Sequence, residues 1–163
     1  MPPHSRDIRV HELEAEDVPL LHAMNTLFGE VFGDAETYTG ARPTPAYLER
    51  LLRGDSVIAL AALDGCDLIG GLVAYELHKF EQARSEIYVY DLAVAATHRR
   101  RGIATALIQQ LQRIAAVRRA WVIFVQADRG DEPAIGLYSK LGRREDVLHF
   151  DIPVCPATHS TGH

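Results

Sequence analysis

The chain has 163 residues, of which 47% are hydrophobic and 24% charged, with a formal net charge of −5. That suits one soluble globular domain able to bury a core, and the acidic balance argues against a nucleic-acid binder, whose domain should be strongly basic. No apolar run is long enough to span a bilayer, and Met1–Asp7 lacks the apolar core of a signal peptide, so a cytoplasmic location is the default expectation.

In chain order, Ile8-Arg9-Val10 begins a short strand. Asp17-Val18-Pro19 opens a helix, with Asp17 as cap and Pro19 in the first turn. Leu20, Met24, Leu27, Phe28 and Val31 form its apolar stripe. Residues 33–38 read as a loop. Thr44-Pro45 caps a second helix that runs to about Leu52. Ser56–Leu63 is a nearly apolar strand, Asp64-Gly65 a tight hairpin turn, and Leu68–Leu77 the return strand, in which Gly70-Gly71 marks a bend or bulge. His78–Ser85 is a loop carrying Lys79, Glu81 and Arg84.

The stretch from Glu86 to Val117 is the most informative. Residues 86–94 read as a strand, being rich in β-branched and aromatic side chains. Ile103, Leu107, Leu111 and Ile114 have helical spacing. Between them lie His98, Arg99, Arg100, Arg101 and Gly102. A helix N-terminus is already partly positive and disfavours basic neighbours. Three arginines there, with a glycine that leaves the first-turn N–H groups bare, ask for a phosphate or pyrophosphate. The alternative is an arginine-rich solvated turn.

Trp121–Ala127 is almost continuously apolar, as in a strand buried on both faces beside a parallel partner. Asp128–Glu132 is an acidic loop, Pro133 starts a helix over Ala134–Leu141, and Gly142 ends it. Val147–Ile152 reads as a last strand and 153–163 as a loose tail. The order is β-α-α-β-β-β-α-β-α-β. The crossover from strand 86–94 to strand 121–127 makes them parallel neighbours, with the helix N-terminus at their carboxyl ends.

Arg99-x-x-Gly102-x-Ala104 directly after a strand resembles the acetyl-CoA pyrophosphate loop of the GCN5-related N-acetyltransferases (GNAT). Residues 80–94, 102–108, 125–128 and 149–151 resemble the matching segments of the type I aminoglycoside 3-N-acetyltransferases, which modify gentamicin. The broader resemblance spans roughly residues 8–152. It implies a single GNAT domain over 1–152, an α/β fold with a mixed sheet of about six strands and about four helices, and acetyl-CoA as acetyl donor. It implies an acyltransferase that acetylates the 3-amino group of an aminoglycoside in a ternary complex, confers antibiotic resistance, and forms a homodimer. The family closes with a two-strand hairpin, whereas only one clear strand is legible at the end of this chain.

On this resemblance Arg99, Arg100, Arg101, Gly102, Ile103, Ala104 and Thr105 hold the pyrophosphate, and main-chain groups of Leu92, Ala93 and Val94 pair with the pantetheine arm, as an added strand does. Asp91 is the expected base. Alternation along the strand sets it on the face of Ile87 and Val89, where a carboxylate needs a partner or a purpose, and a desolvated carboxylate can take the proton of an attacking amine. The competing reading is an Asp bonded to nearby main-chain amides. Tyr138, in the last helix, is the expected acid toward the leaving sulfur, or else an ordinary core tyrosine. The family's usual Asn at this helix start is Asp131 here, and Arg143 stands where an aromatic is common.

Cys66 and Cys155 show neither metal spacing nor a His partner, so neither a nucleophilic cysteine nor a metal is expected. A cationic acceptor suits the acids of the loops: Asp34 and Glu36 with Tyr38, Glu81 and Glu86, Asp128, Asp131 and Glu132, and Asp151. The alternatives are a GNAT enzyme that acetylates a polyamine or a protein amine, and a non-catalytic acyl-CoA-binding module.

Overall fold

The structure is a computed structural model that describes residues 7–156. The chain divides into two compact units, Met1–Gln126 and Ala127–His163.

The first unit holds a five-stranded sheet in the order β1-β2-β3-β4-β5. Its strands are β1 (Ile8–Glu12), β2 (Val57–Asp64), β3 (Asp67–His78), β4 (Ser85–Val94) and β5 (Ala120–Val125), and its helices α1 (Val18–Phe32), α2 (Ala35–Thr39), α3 (Pro45–Arg53) and α4 (Ile103–Arg118). β1 to β4 form an antiparallel meander, and β4 and β5 pair in parallel across the α4 crossover, as the sequence pattern requires.

Alternation along the strands decides which side chain meets which helix. Ala59, Ala61, Leu63 and Ala93 share a buried cluster with Leu21, Met24 and Phe28 of α1 and Leu48 of α3. The intervening Ile58 and Leu60, with Ile87 of β4, are also fully buried, as are Leu107 and Leu111 of α4. β2, covered on both faces, is therefore apolar from Val57 to Leu63. A Cβ on Gly71 would stand 2.8 Å from Met24 Cε and 3.3 Å from Phe28 Cζ, so the missing side chain lets α1 approach the sheet.

One buried polar group braces the far end of the sheet. Arg118 Nη1 donates to Glu76 Oε2 at 2.6 Å and to the Asp55 carbonyl at 2.6 Å, and Ser85 Oγ donates to Glu76 Oε1 at 2.7 Å. Burial works against the Glu76 charge, but these donors outweigh it and hold its carboxyl below the usual range.

Residues 33–38, expected as a loop, hold most of α2. Gly33 takes the left-handed conformation (φ 65°) that ends α1, and Asp34 accepts a hydrogen bond from the Thr37 amide at 3.2 Å, capping α2 at once. The glycine and aspartate were visible in sequence, but a five-residue helix shows no apolar period.

The second unit carries α5 (Glu132–Leu141), capped by Asp131, whose Oδ1 accepts from the Ala134 amide at 3.2 Å. The expected strand Val147–Ile152 does not form: residues 143–156 have no strand pairing, and Leu148 and Ile152 are 79% and 85% exposed. An apolar alternation makes a strand only where a neighbouring edge accepts its ladder. The tail beyond 156 and residues 1–6 lie outside the described residues.

Candidate functional site

The β4–α4 connection is a short 3-10 turn (Ala96–His98) followed by Arg99-Arg100-Arg101-Gly102. Arg100 (φ 62°) and Gly102 (φ 74°) both take left-handed backbone, which for an arginine costs on the order of 1 kcal/mol. Gly102 is the N-cap of α4, among the described residues no side chain caps the helix, and its first turn holds no acid. The N–H groups of Ile103, Ala104 and Thr105 therefore end α4 without intrahelical acceptors, beside three exposed arginines. At the base of the loop His98 Nε2 lies 3.9 Å from Asp64 Oδ2. A groove of about 330 Å³ runs alongside, lined by Leu27, Glu30 and Val31 of α1 and by Ala95, Ala96, Thr97 and Arg99. Bare amides at a helix N-terminus, a left-handed arginine beside a left-handed glycine, and clustered guanidinium groups together suit a diphosphate.

β4 leads into that loop with one edge open. Its pairing with β5 ends at Val89–Val125, whereas its pairing with β3 runs on to Gly70–Val94. Along 90–94, including Leu92, Ala93 and Val94, the main chain keeps β3 on one side and, among the described residues, has no ladder on the other. Free strand edges accept extended amide-bearing chains.

The end of the β4–β5 pairing coincides with a β-bulge. Val73 pairs with Asp91 and Ala74 with Val89, so Tyr90 is the extra residue. The bulge corrects the expected orientation of Asp91. It does not share the face of Ile87 and Val89. The inserted residue resets the alternation, and Asp91 joins Ala93 and Val73 on the side of α1 and α2. There the Tyr38 hydroxyl donates a hydrogen bond to Asp91 Oδ1. Desolvation raises the Asp91 carboxyl above its ordinary value, and the Tyr38 hydrogen bond opposes the rise. Burial, and then the Asp91 hydrogen bond and charge, push the Tyr38 phenol up, so it stays protonated and remains a donor.

Sequence reasoning missed the aromatic wall around this carboxylate. Tyr90 meets Tyr75 edge-on at 5.9 Å and Tyr88 at 5.6 Å, and Tyr88 stacks on Phe124 at 4.7 Å. Tyr88 Oη donates to Gln126 Oε1 at 2.8 Å. Tyr75 and Tyr90 are 38% and 63% exposed. Burial raises the Tyr75 and Tyr88 phenols, and the Asp91 charge adds to both. The available signal was the alternation of tyrosines at 88 and 90 opposite Tyr75.

Of the expected acceptor-binding residues, Tyr38 stands at Asp91, with Asp34 close enough for its charge to act on the Tyr38 phenol. Glu36 is exposed in the first turn of α2. Glu81 and Glu86 converge instead on Lys79, at 3.6 and 4.0 Å, and Glu86 accepts from Trp121 Nε1 at 3.3 Å. In the second unit Asp131 caps α5, Glu132 follows it, and the Asp128 carbonyl accepts from the Asp131 amide at 3.1 Å. Asp151 pairs with His149 at 2.9 Å and is exposed. Tyr138 lies on α5, its phenol raised by burial and then by Asp131. Among the described residues no group of three or more His, Cys, Asp or Glu could hold a metal ion, and no helix is long and apolar enough to cross a membrane.

The model of the acetyltransferase (GNAT) family matches residues 21–142, well over half of the chain. The chain belongs to that family. No curated protein sequence matches it significantly. Among solved structures, it is similar to an aminoglycoside acetyltransferase from an uncultured soil metagenomic sample, with 62% identity, a TM-score of 0.90, and 91% of this chain and 99% of the other covered. It is also similar to a second aminoglycoside acetyltransferase of soil metagenomic origin, solved in complex with sisomicin, with 27% identity, a TM-score of 0.83, and 91% and 97% covered. The aminoglycoside N-acetyltransferase AAC(6')-Iy, solved with CoA, shares the fold at 16% identity, with a TM-score of 0.75 and 95% and 100% covered.

Acetyl-CoA is the acetyl donor of GNAT acetyltransferases, and it is the cofactor of this one. The diphosphate cradle at 99–105 and the open edge of β4 fit its diphosphate and its amide-bearing arm.

Proposed function

We propose that this GNAT enzyme acetylates an amine of an aminoglycoside, with Asp91 as general base. The reading rests on Asp91, a half-buried carboxylate at the bulge where β4 loses its β5 neighbour and turns toward the phosphate loop. When bound, acetyl-CoA supplies an acetyl thioester whose carbonyl carbon a neutral amine can attack. The protein's part is then to orient and to move protons. Arg99, Arg100, Arg101 and the amides of Gly102 to Thr105 hold the diphosphate. Leu92, Ala93 and Val94 align the arm through main-chain groups. Asp91 Oδ2 accepts the proton that the amine loses as its nitrogen bonds to carbon. Tyr138 keeps its phenolic proton through the neutral range, and we assign it as hydrogen-bond donor to the leaving sulfur, on the resemblance of its helix to the family's last motif.

The 62% identical relative supports an aminoglycoside as acceptor, and the resemblance of residues 80–94 and 149–151 supports the 3-amino group. The exposed faces of Tyr75 and Tyr90 suit the rings of such an acceptor, and the Asp91 charge suits its ammonium groups. The test is thiol release from acetyl-CoA with gentamicin, kanamycin, spermidine and a histone peptide. Turnover with the aminoglycosides, at the 3-amino group by NMR of the product, is expected. Turnover confined to spermidine or the peptide overturns the assignment.

A further inference from the structure

Tyr38 is built into its place with more care than a rim residue needs. Gly33 and the Asp34 cap fix the start of α2 immediately after α1, and the Asp34 amide donates back to the Gly29 carbonyl at 3.0 Å. The Tyr38 ring packs against Phe28 at 5.9 Å and Phe32 at 5.7 Å. From that aromatic seat its hydroxyl reaches a carboxylate 53 residues away in sequence. Among the described residues this is the hydrogen bond that the Asp91 side chain makes, and it occupies Oδ1 alone.

We propose that Tyr38 is a positioning residue for Asp91: held by Phe28 and Phe32, its hydroxyl fixes Oδ1 and turns Oδ2 toward the acceptor amine. The proposal rests on Asp91 as the base. A donor on Oδ1 favours the ionised carboxyl, so burial does not leave Asp91 protonated and useless at the pH where the amine must be deprotonated. It also removes side-chain rotation that would let the base miss the amine. The other groups facing Asp91 do not substitute for this donor. Tyr75 of β3 and Tyr88 of β4 interact with its charge without bonding to it, and Asp34 at the start of α2 acts on the Tyr38 phenol.

The test is Tyr38→Phe in the full chain, which keeps the ring and its packing. The Asp91 carboxyl carbon, identified by comparison with Asp91→Asn, is titrated by 13C NMR, and kcat is measured from pH 6 to 9. Loss of the donor moves the Asp91 midpoint up by about one unit and reduces kcat more at pH 6 than at pH 9. Replacing Tyr38 with 3-fluorotyrosine, a more acidic phenol, moves the midpoint the other way. A purely structural tyrosine would lower kcat evenly across pH and leave the midpoint where it was, and that result overturns the proposal. Failure of the two readings is separable. Turnover retained in Asp91→Asn removes Asp91 as base, whereas an inactive Asp91→Asn with an unmoved midpoint in Tyr38→Phe removes the role of Tyr38 alone.

Discussion

Asp91→Asn changes one atom's chemistry and almost nothing of the local shape. The amide oxygen still accepts from Tyr38, and the bulge at Tyr90 that orients residue 91 is a main-chain feature. What disappears is the ability to hold a proton. A positioned general base contributes about 10²- to 10⁴-fold, or about 2.7 to 5.4 kcal/mol of barrier, so kcat is expected to fall by at least about 100-fold at pH 7. Calorimetric affinity for CoA should stay the same, because no cradle residue is touched. Stability should move in the opposite direction to activity. The folded-state pKa of Asp91 is raised, chiefly by desolvation. An acid shifted that way favours folding in its protonated form, below its unfolded pKa, and loses that contribution as pH rises through its folded pKa. Asparagine mimics the protonated form at every pH. The variant should therefore melt above the wild type at pH 8, with the gap closing toward pH 4. Wild-type turnover, or a variant that melts lower at pH 8, would refute the reasoning.

Arg100→Ala should weaken CoA binding by about 10- to 100-fold, the range of a charge-assisted hydrogen bond, while kcat at saturating acetyl-CoA changes little; stopped initial-rate kinetics over a range of acetyl-CoA concentrations checks this. Arg118→Met leaves Glu76, whose side chain is 5% exposed, without its cation and should cost about 3 kcal/mol at pH 7 by urea unfolding. Because the folded-state pKa of Glu76 is lowered, its stabilising contribution is present above its unfolded pKa and fades as pH falls through the folded value. The deficit of the variant should therefore shrink between pH 5 and pH 3, and a pH-independent deficit would count against the pair.

The parts legible in sequence are those encoded locally. The α4 period and the apolar run of β5 each sit within a dozen or so residues, and they suffice to fix the parallel crossover, although β5 ends the sheet order with Trp121 and Val122 55% and 36% exposed and is not the strand buried on both faces that its apolar run suggested. The parts that were not legible depend on distant partners. The bulge exists because β3 and β4 shift register at Val73/Ala74, and no residue near 90 announces it, so alternation assigned Asp91 to the wrong face. The Tyr38 contact joins α2 to β4. The tyrosines at 75, 88 and 90 become a wall only once two strands pair. At 147–152 alternation was present without a partner edge, and no strand resulted.

Where the diphosphate of CoA lies is measured directly by a crystal structure of the CoA complex. The expected result is diphosphate oxygens within about 2.7–3.2 Å of main-chain nitrogens between Gly102 and Thr105, with the arm beside Leu92–Val94. A diphosphate anywhere else on the protein would contradict it.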